Sequence, residues 1–496
     1  MNGREKSDRL VVPVKLSNNA AKAAAEAVEG RGLREGNVVG ETRSGLRAGV
    51  SGPSALDRVR RIAQQDKGAR FTALLHHVDV DRLRAAYWAL NPKAATGVDG
   101  VTWLEYGFDL EENLRDLHAR VHRGSYRARP SRRAYIPKPD GRQRPLGIAA
   151  LEDKILQRAM AEVLGTVYEA DFLGFSYGFR PGRSPHDALD ALGAAIKMRR
   201  VNWVLDLDFR DYFSRLDHQW LERFIEHRIV DRRVLRLIQK WMAAGVIENG
   251  SWTAFDEGVP QGASISPLLA NVYAHYVFDL WAHQWRHRHA RGDVVIVRFA
   301  DDAVVCFEHR DDAERFWAEL RDRLARFNLE LAAEKTRLIE FGRFAAERRA
   351  ARGLGKPETF RFLGFTHICG KARNGRFKLK RITDSKRVPA KLSALKDGIE
   401  RRQHLPIPEQ GRWLASVLRG HYQYYAVPDN SEALHAFRRQ AEWHWYRALR
   451  RRSQRTTITW EQMSRLADRW LPPLRVLRPW PEQRFHARTQ GRSPVR

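Results

Sequence analysis

The sequence predicts an α+β fold, because pairs of strands joined by tight turns occur between amphipathic helices. Residues 132–148, RRAYIPKPDGRQRPLGI, are typical of a β-hairpin with a Pro-Asp-Gly turn. Residues 295–307, VIVRFADDAVVCF, predict a second hairpin. Residues 201–209, VNWVLDLDF, predict a buried strand, since their apolar character is almost continuous. We therefore expect antiparallel strand pairs among helices.

Five segments have the apolar spacing of helices. Four of them are residues 152–170, 218–229, 232–245 and 266–285. The fifth, residues 312–327, places four large apolar side chains on one face, which we expect to be buried. These side chains are Phe316, Leu320, Leu324 and Phe327.

Composition indicates a nucleic-acid partner. The chain has 496 residues, with 88 Lys and Arg against 59 Asp and Glu, and a net charge of +29. Such an excess favours a polyanion, nucleic acid first and an anionic membrane second. No apolar run reaches the roughly 18 residues of a membrane span, and no signal peptide is evident. The two cysteines, Cys306 and Cys369, exclude a disulfide framework or a Cys-rich zinc module within the chain. We expect a cytoplasmic protein with no membrane partner.

The two ends of the chain differ from its middle. The first 70 residues contain no Phe, Tyr or Trp, and we expect a mobile leader with a short helix near residues 54–65. The last 126 residues carry 29 Lys and Arg against 10 Asp and Glu, a net charge of +19. Residues 418–430 and 442–455 interleave cations with aromatic rings, which suits phosphates and unpaired bases. The alternative is a helix bundle with Trp443 and Tyr446 in its core and a solvated arginine face, and both descriptions can hold for one bundle.

Paired aspartates mark the candidate site. Asp301 and Asp302 stand in the turn of the second hairpin, where the simple explanation is a turn that happens to contain Asp. The alternative is that they hold a divalent cation, which takes oxygen ligands. Asp206 and Asp208 alternate with leucines on the buried strand and so point to the same face of it. A buried strand with two aspartates needs cations or hydrogen bonds to offset desolvation, and two acidic strands together favour two-metal phosphoryl transfer.

The order of short motifs carries a family resemblance. Roughly residues 70–370 contain, in sequence, IPKPDGRQRPLGI, SYGFRPGRSPHDAL, LDLDFRDYF, GVPQGASISPLLANVY, RFADD, EKTRLIEFG and FRFLGF. In this order they resemble the blocks of a group II intron-encoded reverse transcriptase, or maturase. Residues 418–430, LRGHYQYYAVPDN, resemble the thumb segment (domain X) of the same family.

The resemblance implies a right-hand polymerase fold with fingers, an antiparallel-sheet palm with helices behind it, and a helical thumb. The implied division is a flexible leader in 1–70, fingers in 71–200, palm in 201–385, thumb or domain X in 386–475, and a basic tail in 476–496. No cysteine follows Cys369, whereas relatives with a C-terminal DNA endonuclease carry paired Cys-x-x-Cys clusters. We therefore expect no such domain and no nicking of the second DNA strand.

The resemblance also assigns the candidate catalytic residues. Asp208 and Asp301 become the metal ligands, and Asp302 becomes a third catalytic carboxylate that supports the metals and the primer end. Asp206 is secondary. The implied cofactor is Mg²⁺, as two ions, for which Mn²⁺ can substitute.

Further residues are assigned to the incoming nucleotide. Phe213 matches an aromatic steric gate that excludes a 2′-hydroxyl, and its alternative is a core residue. Lys138 and Arg144 match residues that hold the triphosphate, Arg through bidentate contacts and Lys as a mobile point charge. Their alternative is a solvated basic hairpin. Gln261 is expected near the templating base pair, beside Gly262, which allows close backbone approach.

Lys335 is a candidate general acid for pyrophosphate departure, and its alternative is a salt bridge to Glu334 or another neighbour. The sequence departs from the family pattern at Phe299, at Asp211, and at Ser214 and Arg215, where many relatives have acidic or polar residues. Phe299 replaces the usual tyrosine of Tyr-Ala-Asp-Asp, which removes a hydroxyl but no ligand. Asp211 stands where many relatives have glycine, and its extra charge can perturb cation binding or fidelity.

The thumb is expected to bind RNA through its basic and aromatic side chains. The candidates are Arg419, Tyr422, Arg450, Arg451, Arg452 and Arg455.

The leading hypothesis is an RNA-directed DNA polymerase encoded by a mobile element. Its expected partners are its parent group II intron RNA, whose splicing it assists, an RNA template with a DNA primer, deoxynucleoside triphosphates, and target DNA during retrohoming. It is expected in the bacterial cytosol, and at the nucleoid when it acts on DNA. One alternative is an RNA-binding splicing maturase with an inactive or incidental polymerase, against which Asp208, Asp301 and Asp302 argue. The other is a domesticated reverse transcriptase with a defence or CRISPR-linked role, which the intron-like thumb disfavours.

Overall fold

The computed structural model describes residues 55–137, 143–254, 257–260, 262–452, 458–478 and 480–481. Groups of helices and groups of strands follow one another along these ranges. The helices are α1 Ala55–Gln65, α2 Val80–Trp88, α3 Trp103–Phe108, α4 Leu110–Arg123, α5 Leu151–Asp171, α6 Pro185–Met198, α7 His218–Glu226, α8 Arg232–Ala243, α9 Ser266–Ala274, α10 Leu280–Arg288, α11 Arg310–Ala325, α12 Ala345–Ala351, α13 Val388–Glu400, α14 Ile407–Tyr425, α15 Ser431–Arg450 and α16 Trp460–Trp470. The strands are β1 Ser131–Pro137, β2 Gln143–Ile148, β3 Trp203–Asp208, β4 Val246–Glu248, β5 Ser251–Thr253, β6 Val294–Phe299, β7 Asp302–Phe307, β8 Arg337–Glu340, β9 Phe360–Phe362, β10 Phe365–Lys371 and β11 Phe377–Thr383.

The central sheet is antiparallel and has the strand order β6-β7-β3-β8. Leu205 and Leu207 of β3 point into one hydrophobic core, and Val204 points into a second core that includes thumb residues. Because both faces of the sheet are covered, its strands are apolar almost throughout. Asp206 and Asp208 share the face of Val204, since side chains alternate along a strand. The two carboxylates of β3 therefore lie on the side of the sheet that faces the thumb.

The fingers contain the first predicted hairpin. β1 and β2 pair antiparallel from Arg132 opposite Ile148 to Pro137 opposite Gln143, and β1 also pairs parallel with β4. The turn between β1 and β2, residues 138–142, lies outside the described residues. Helix α6 begins at a capping box, in which Ser184 and Asp187 satisfy each other's backbone N–H groups.

The thumb packs onto a small sheet with the order β11-β10-β9. Its helix bundle, α13 to α16, encloses Trp445, which is fully buried and donates its indole N–H to Gln410 Oε1 at 2.8 Å. Asn430 links bundle and sheet, because its side chain accepts from the Thr383 backbone N–H and donates to the Tyr425 carbonyl, each at 2.8 Å. These contacts fix the start of the thumb against the palm.

The predicted α+β, right-hand polymerase fold is confirmed. The five predicted helices are present, but residues 266–288 contain a π-helical segment, His275–Asp279, between α9 and α10. The short helix expected in the leader is α1, which buries Val59 and Ala63, so ordered structure begins before residue 71. Residues 1–54 and most of the basic tail lie outside the described residues. The domain boundaries stay predictions.

Among the described residues, no helix is both long enough and apolar enough to cross a membrane.

Candidate active site

Two strand ends bring the predicted carboxylates into one cavity. β6 and β7 form the second predicted hairpin, and the register of β3 against β7 sets Asp208 directly opposite Asp302. Asp301 occupies the turn of the hairpin. All three aspartates line a cavity of about 570 Å³, so residues almost a hundred positions apart in the sequence face the same space.

The turn that presents Asp301 has an unusual backbone. Ala300 has a φ of +58°, in the left-handed region that costs a residue with a Cβ roughly 1–2 kcal/mol. The neighbouring loop touches this turn closely, since a Cβ on Gly178 would lie 2.3 Å from the Ala300 backbone nitrogen. Only glycine allows that approach. The turn is therefore held by its surroundings rather than by its own preference.

A buried arginine fixes the turn from behind. Arg298, only 1% exposed, makes two hydrogen bonds to the carboxylate of Asp279, at 2.7 and 2.6 Å. It also donates to the Ala300 carbonyl at 2.9 Å, to Asn271 Oδ1 at 3.0 Å and to Ser176 Oγ at 2.7 Å. One guanidinium thus joins the hairpin turn to α9, to the π-helical segment and to the loop before α6. π-Helical segments recur at functional sites, and here the segment ends at the residue that pairs with Arg298.

Clustered carboxylates shift one another's proton affinity. Desolvation, together with the charges of Asp301 and Asp208, raises the pKa of Asp302 to about 7. Desolvation also raises the pKa of Asp301, and it raises the pKa of Asp206 to about 7 against the opposing charge of Arg337. A bound cation would favour the ionised forms, because it offsets the repulsion among the carboxylates.

Lys335 forms a salt bridge with Asp208, one of the two predicted metal ligands. Its Nζ is 3.1 and 3.3 Å from the two carboxylate oxygens of Asp208. The alternative interpretation of Lys335 as a salt bridge to a neighbour is confirmed, with Asp208 as the partner. Glu334 instead pairs with Arg210 at 3.2 Å. The general-acid role of Lys335 stays a prediction.

The donor set suits Mg²⁺, a hard cation that prefers carboxylate oxygens. Asp208, Asp301 and Asp302 supply such oxygens to one cavity. Within the part of the chain that the structure describes, no group of three or more His, Cys, Asp or Glu side chains is already arranged around a metal position. The chemistry of the site fits the ion, and the ligand assignments to Asp208 and Asp301 stay predictions.

Two predicted nucleotide contacts line the same cavity. Arg144 is exposed there, and Phe213 is half-buried, with one side packed on the hydrophobic core. The core packing of Phe213 is therefore confirmed for one side of its ring, and its role as a steric gate stays a prediction. Lys138 and Gln261 lie outside the described residues. The backbone at Gly262 runs close to β2, since a Cβ there would lie 2.8 Å from the Gly147 carbonyl oxygen.

Asp211 and Phe299, which depart from the family pattern, both have well-defined surroundings. Asp211 has a φ of +46°, a conformation that glycine adopts freely and that Asp tolerates better than most residues. Its side chain lines the cavity. Phe299 lies with its ring centroid 6.5 Å from that of Phe179, an exposed residue with a φ of +56°.

Only some of the predicted RNA contacts on the thumb lie at the surface, and RNA binding by those residues stays a prediction. Arg419, Arg450 and Arg451 are exposed, and Arg452 is partly exposed. Tyr422 is 4% exposed and packs in the second core, so its prediction as an RNA contact is wrong. It lies on the inner face of α14, which the interleaved pattern of rings and cations does not reveal.

The alternative core assignment on α15 also needs correction. Trp443 is 46% exposed, and the core tryptophan of this helix is Trp445. Tyr446 is partly exposed and lies under the guanidinium of Arg450, 5.7 Å from the ring centroid. Arg455 lies outside the described residues.

Comparison with known families agrees with this geometry. Residues 136–367 match the model of the reverse transcriptase (RNA-dependent DNA polymerase) family. These residues therefore resemble a reverse transcriptase domain. The matched segment includes β3, the hairpin of β6 and β7, and all three carboxylates.

Curated relatives extend the likeness to intron-encoded proteins. Protein YkfC of Escherichia coli is 40% identical over 205 residues, which cover 40% of this chain and 54% of that protein. Group II intron-encoded protein LtrA of Lactococcus lactis is 33% identical over 222 residues, 44% of this chain and 37% of LtrA. A putative COX1/OXI3 intron 1 protein of Saccharomyces cerevisiae is 28% identical over 221 residues, 44% of this chain and 26% of that protein. The resemblance to group II intron-encoded reverse transcriptases is confirmed, although the aligned segment spans about half of YkfC and less of the others.

The sequence did not reveal the residues that support the carboxylate cavity. In the sequence, Arg298 has the pattern of an ordinary strand residue, and Asp279 is a single charged residue within a long predicted helix. One feature of the sequence could have indicated these supports: two charged residues stand within otherwise apolar runs. Charged residues need partners when they are buried. Their pairing with each other could not be inferred without the fold.

Proposed function

We propose that this chain is an RNA-directed DNA polymerase that copies its parent group II intron RNA into DNA. The observation that carries the proposal is the meeting of Asp208, Asp301, Asp302, Arg144 and Phe213 at one cavity of a reverse transcriptase domain. The cavity is lined by four aspartates, by Arg144 and Lys335, and by aromatic rings that include Phe213. This combination suits a nucleotide that carries both a triphosphate and a sugar.

In the proposed reaction, the 3′-hydroxyl of a primer attacks the α-phosphate of a deoxynucleotide, the new O–P bond forms, and the bond to pyrophosphate breaks. Two Mg²⁺ ions held by Asp208 and Asp301 would supply charge neutralisation and activation of the hydroxyl. Arg144 would hold the triphosphate through paired hydrogen bonds. Lys335, already beside Asp208, would give a proton to the departing pyrophosphate.

The protein's part is mainly positioning. The network around Arg298 would keep Asp301 in place, and Asp302 would support the primer end. The ring of Phe213 would lie under the sugar and exclude a 2′-hydroxyl.

Binding of the intron RNA and help in its splicing belong to the same proposal. They are supported by the likeness to intron-encoded protein LtrA, by the net charge of +29 and by the exposed arginines at the end of α15. Target DNA during retrohoming and a cytoplasmic location are proposed on the same basis. Arg450→Ala with Arg451→Ala is expected to weaken intron RNA binding measured by filter retention, and to leave extension on a short template unchanged.

Primer extension tests the polymerase directly. Wild type with Mg²⁺, deoxynucleotides and an RNA template is expected to extend a DNA primer, and Asp301→Ala is expected to abolish extension while RNA binding persists. Asp322→Ala on α11, an exposed aspartate away from the cavity, is the matched control. Extension by Asp301→Ala would show that the site is wrongly assigned. A folded wild type that binds RNA without extending a primer would favour the splicing maturase.

A further inference from the structure

A second cleft, the basic cleft, lies at the other end of the palm sheet. It has a volume of about 930 Å³ and is formed by the segment after β8, by residues 356–359 and by the hairpin of β10 and β11. Its charged lining side chains are Lys197, Arg343, Glu347, Lys356, Lys371 and Arg376.

The basic cleft is separate from the carboxylate cavity. β3 runs from Trp203, opposite Glu340 of β8, to Asp208 in the cavity. Six residues of extended strand span roughly 17–20 Å, and residues lining the cleft follow directly after β8. The two sites share no lining residue. A ligand in the basic cleft can therefore be bound without entering the carboxylate cavity.

The charge of the cleft is one-sided. Five cations face one carboxylate, that of Glu347, whereas the whole chain has 88 cationic against 59 acidic residues. Lys356, Lys371 and Arg376 are exposed. Arg343 is tied to the cleft wall by a hydrogen bond to the Lys197 carbonyl at 2.8 Å. This concentration of positive charge favours a polyanion over a single small acid.

An exposed ring gives the second observation. Phe344 lines the cleft and is 51% exposed, although large apolar side chains are usually buried. Cations together with a free aromatic face are the combination that binds unpaired nucleic acid, because phosphates meet the cations and a base stacks on the ring. An acidic protein segment would use the cations and leave the ring without a partner.

We propose that the basic cleft binds an unpaired polynucleotide segment, with phosphates at Lys356, Lys371 and Arg376 and a base on Phe344. The proposal deepens the proposed function, on which it rests, by giving intron RNA a contact on the palm in addition to the thumb. The same chemistry would accept single-stranded DNA, so RNA and DNA of one sequence must be compared.

Fluorescence anisotropy with a short, unstructured oligonucleotide tests the cleft. Lys371→Glu with Arg376→Glu is expected to weaken binding and to reduce the slope of log K against log salt by about 1.4, or 0.7 for each lost phosphate contact on a single strand. Arg321→Glu with Arg326→Glu serves as the control, because it changes the same charge at an exposed position of α11 and at the exposed residue that follows this helix. Phe344→Ala is expected to weaken binding by about 5- to 150-fold with the slope unchanged.

The outcomes separate the cleft from the polymerase. Extension on a short template should be the same in the cleft variants and wild type; if wild type itself fails to extend, the polymerase proposal falls while the binding result still stands. Equal effects of cleft and control pairs would overturn the cleft proposal. So would competition by polyglutamate as effective as that by an RNA of equal charge. Tighter binding of RNA than of DNA would support intron RNA as the ligand, and tighter binding of DNA would overturn that assignment.

Discussion

Replacing Arg298 with methionine removes the charge that holds the hairpin turn but keeps a side chain of similar length. The change leaves the carboxylate of Asp279 fully buried and without its two hydrogen bonds from Arg298. Breaking a buried ion pair in this way costs about 3–5 kcal/mol. Because natural domains have about 5–15 kcal/mol of net stability, Arg298→Met should fold but unfold at a clearly lower denaturant concentration.

A second variant separates stability from positioning. Arg298→Met with Asp279→Leu removes both charges, and most of the lost free energy of unfolding should return. The hydrogen bond to the Ala300 carbonyl is still missing, so the left-handed turn at Ala300 is no longer held, and polymerisation should stay low. Guanidinium denaturation and primer extension on the same samples measure the two effects. The reasoning would be refuted if Arg298→Met lost less than about 1 kcal/mol of unfolding free energy. It would also be refuted if the double variant extended primers as fast as wild type.

Three further predictions concern single residues. Phe213→Ala should lower the preference for deoxynucleotides over ribonucleotides by about 10- to 200-fold, measured as the ratio of kcat/KM values; an unchanged ratio would leave Phe213 as a core residue. Gly178→Ala should reduce primer extension, because the new Cβ would lie 2.3 Å from the Ala300 backbone nitrogen. Gly182→Ala in the same loop is the control, because a Cβ there would meet no atom within 4 Å. This control should cost only about 1 kcal/mol of backbone strain. Equal losses in the two glycine variants would contradict this. Burial lowers the pKa of His367 to about 3. As the pH drops below about 6.5, the imidazole is protonated in the unfolded chain but not in the folded chain, and the free energy of unfolding therefore falls. Between pH 8 and pH 5, His367→Gln should lose about 2 kcal/mol less unfolding free energy than wild type; parallel pH profiles would disprove the assignment.

The strands that carry the site could be predicted because their signals are local. The alternation in LDLD places Asp206 and Asp208 on one face, and a two-residue turn between β-forming runs predicts the hairpin that holds Asp301. Both signals depend only on neighbours in sequence. Family resemblance added the roles, which residue patterns alone left open.

The supports of the site depend on contacts between distant segments. Ser176 and Arg298 are 122 positions apart, and their hydrogen bond exists only once the loop before α6 packs on the hairpin. The burial of Tyr422 was missed for the same reason, since helical spacing gives a face but not which face meets the palm. The salt bridge from Lys335 to Asp208 spans 127 positions and depends on β8 lying beside β3.

The most direct test of the central claim is single-turnover incorporation of one deoxynucleotide on an RNA template by wild type, Asp208→Asn and Asp301→Asn. Binding of the primer–template is measured on the same samples. If these carboxylates hold the catalytic ions, each substitution should slow incorporation by about 10³-fold, since loss of metal stabilisation costs several kcal/mol of the barrier, and primer–template binding should be nearly unchanged. Incorporation at the wild-type rate by either variant would contradict the account.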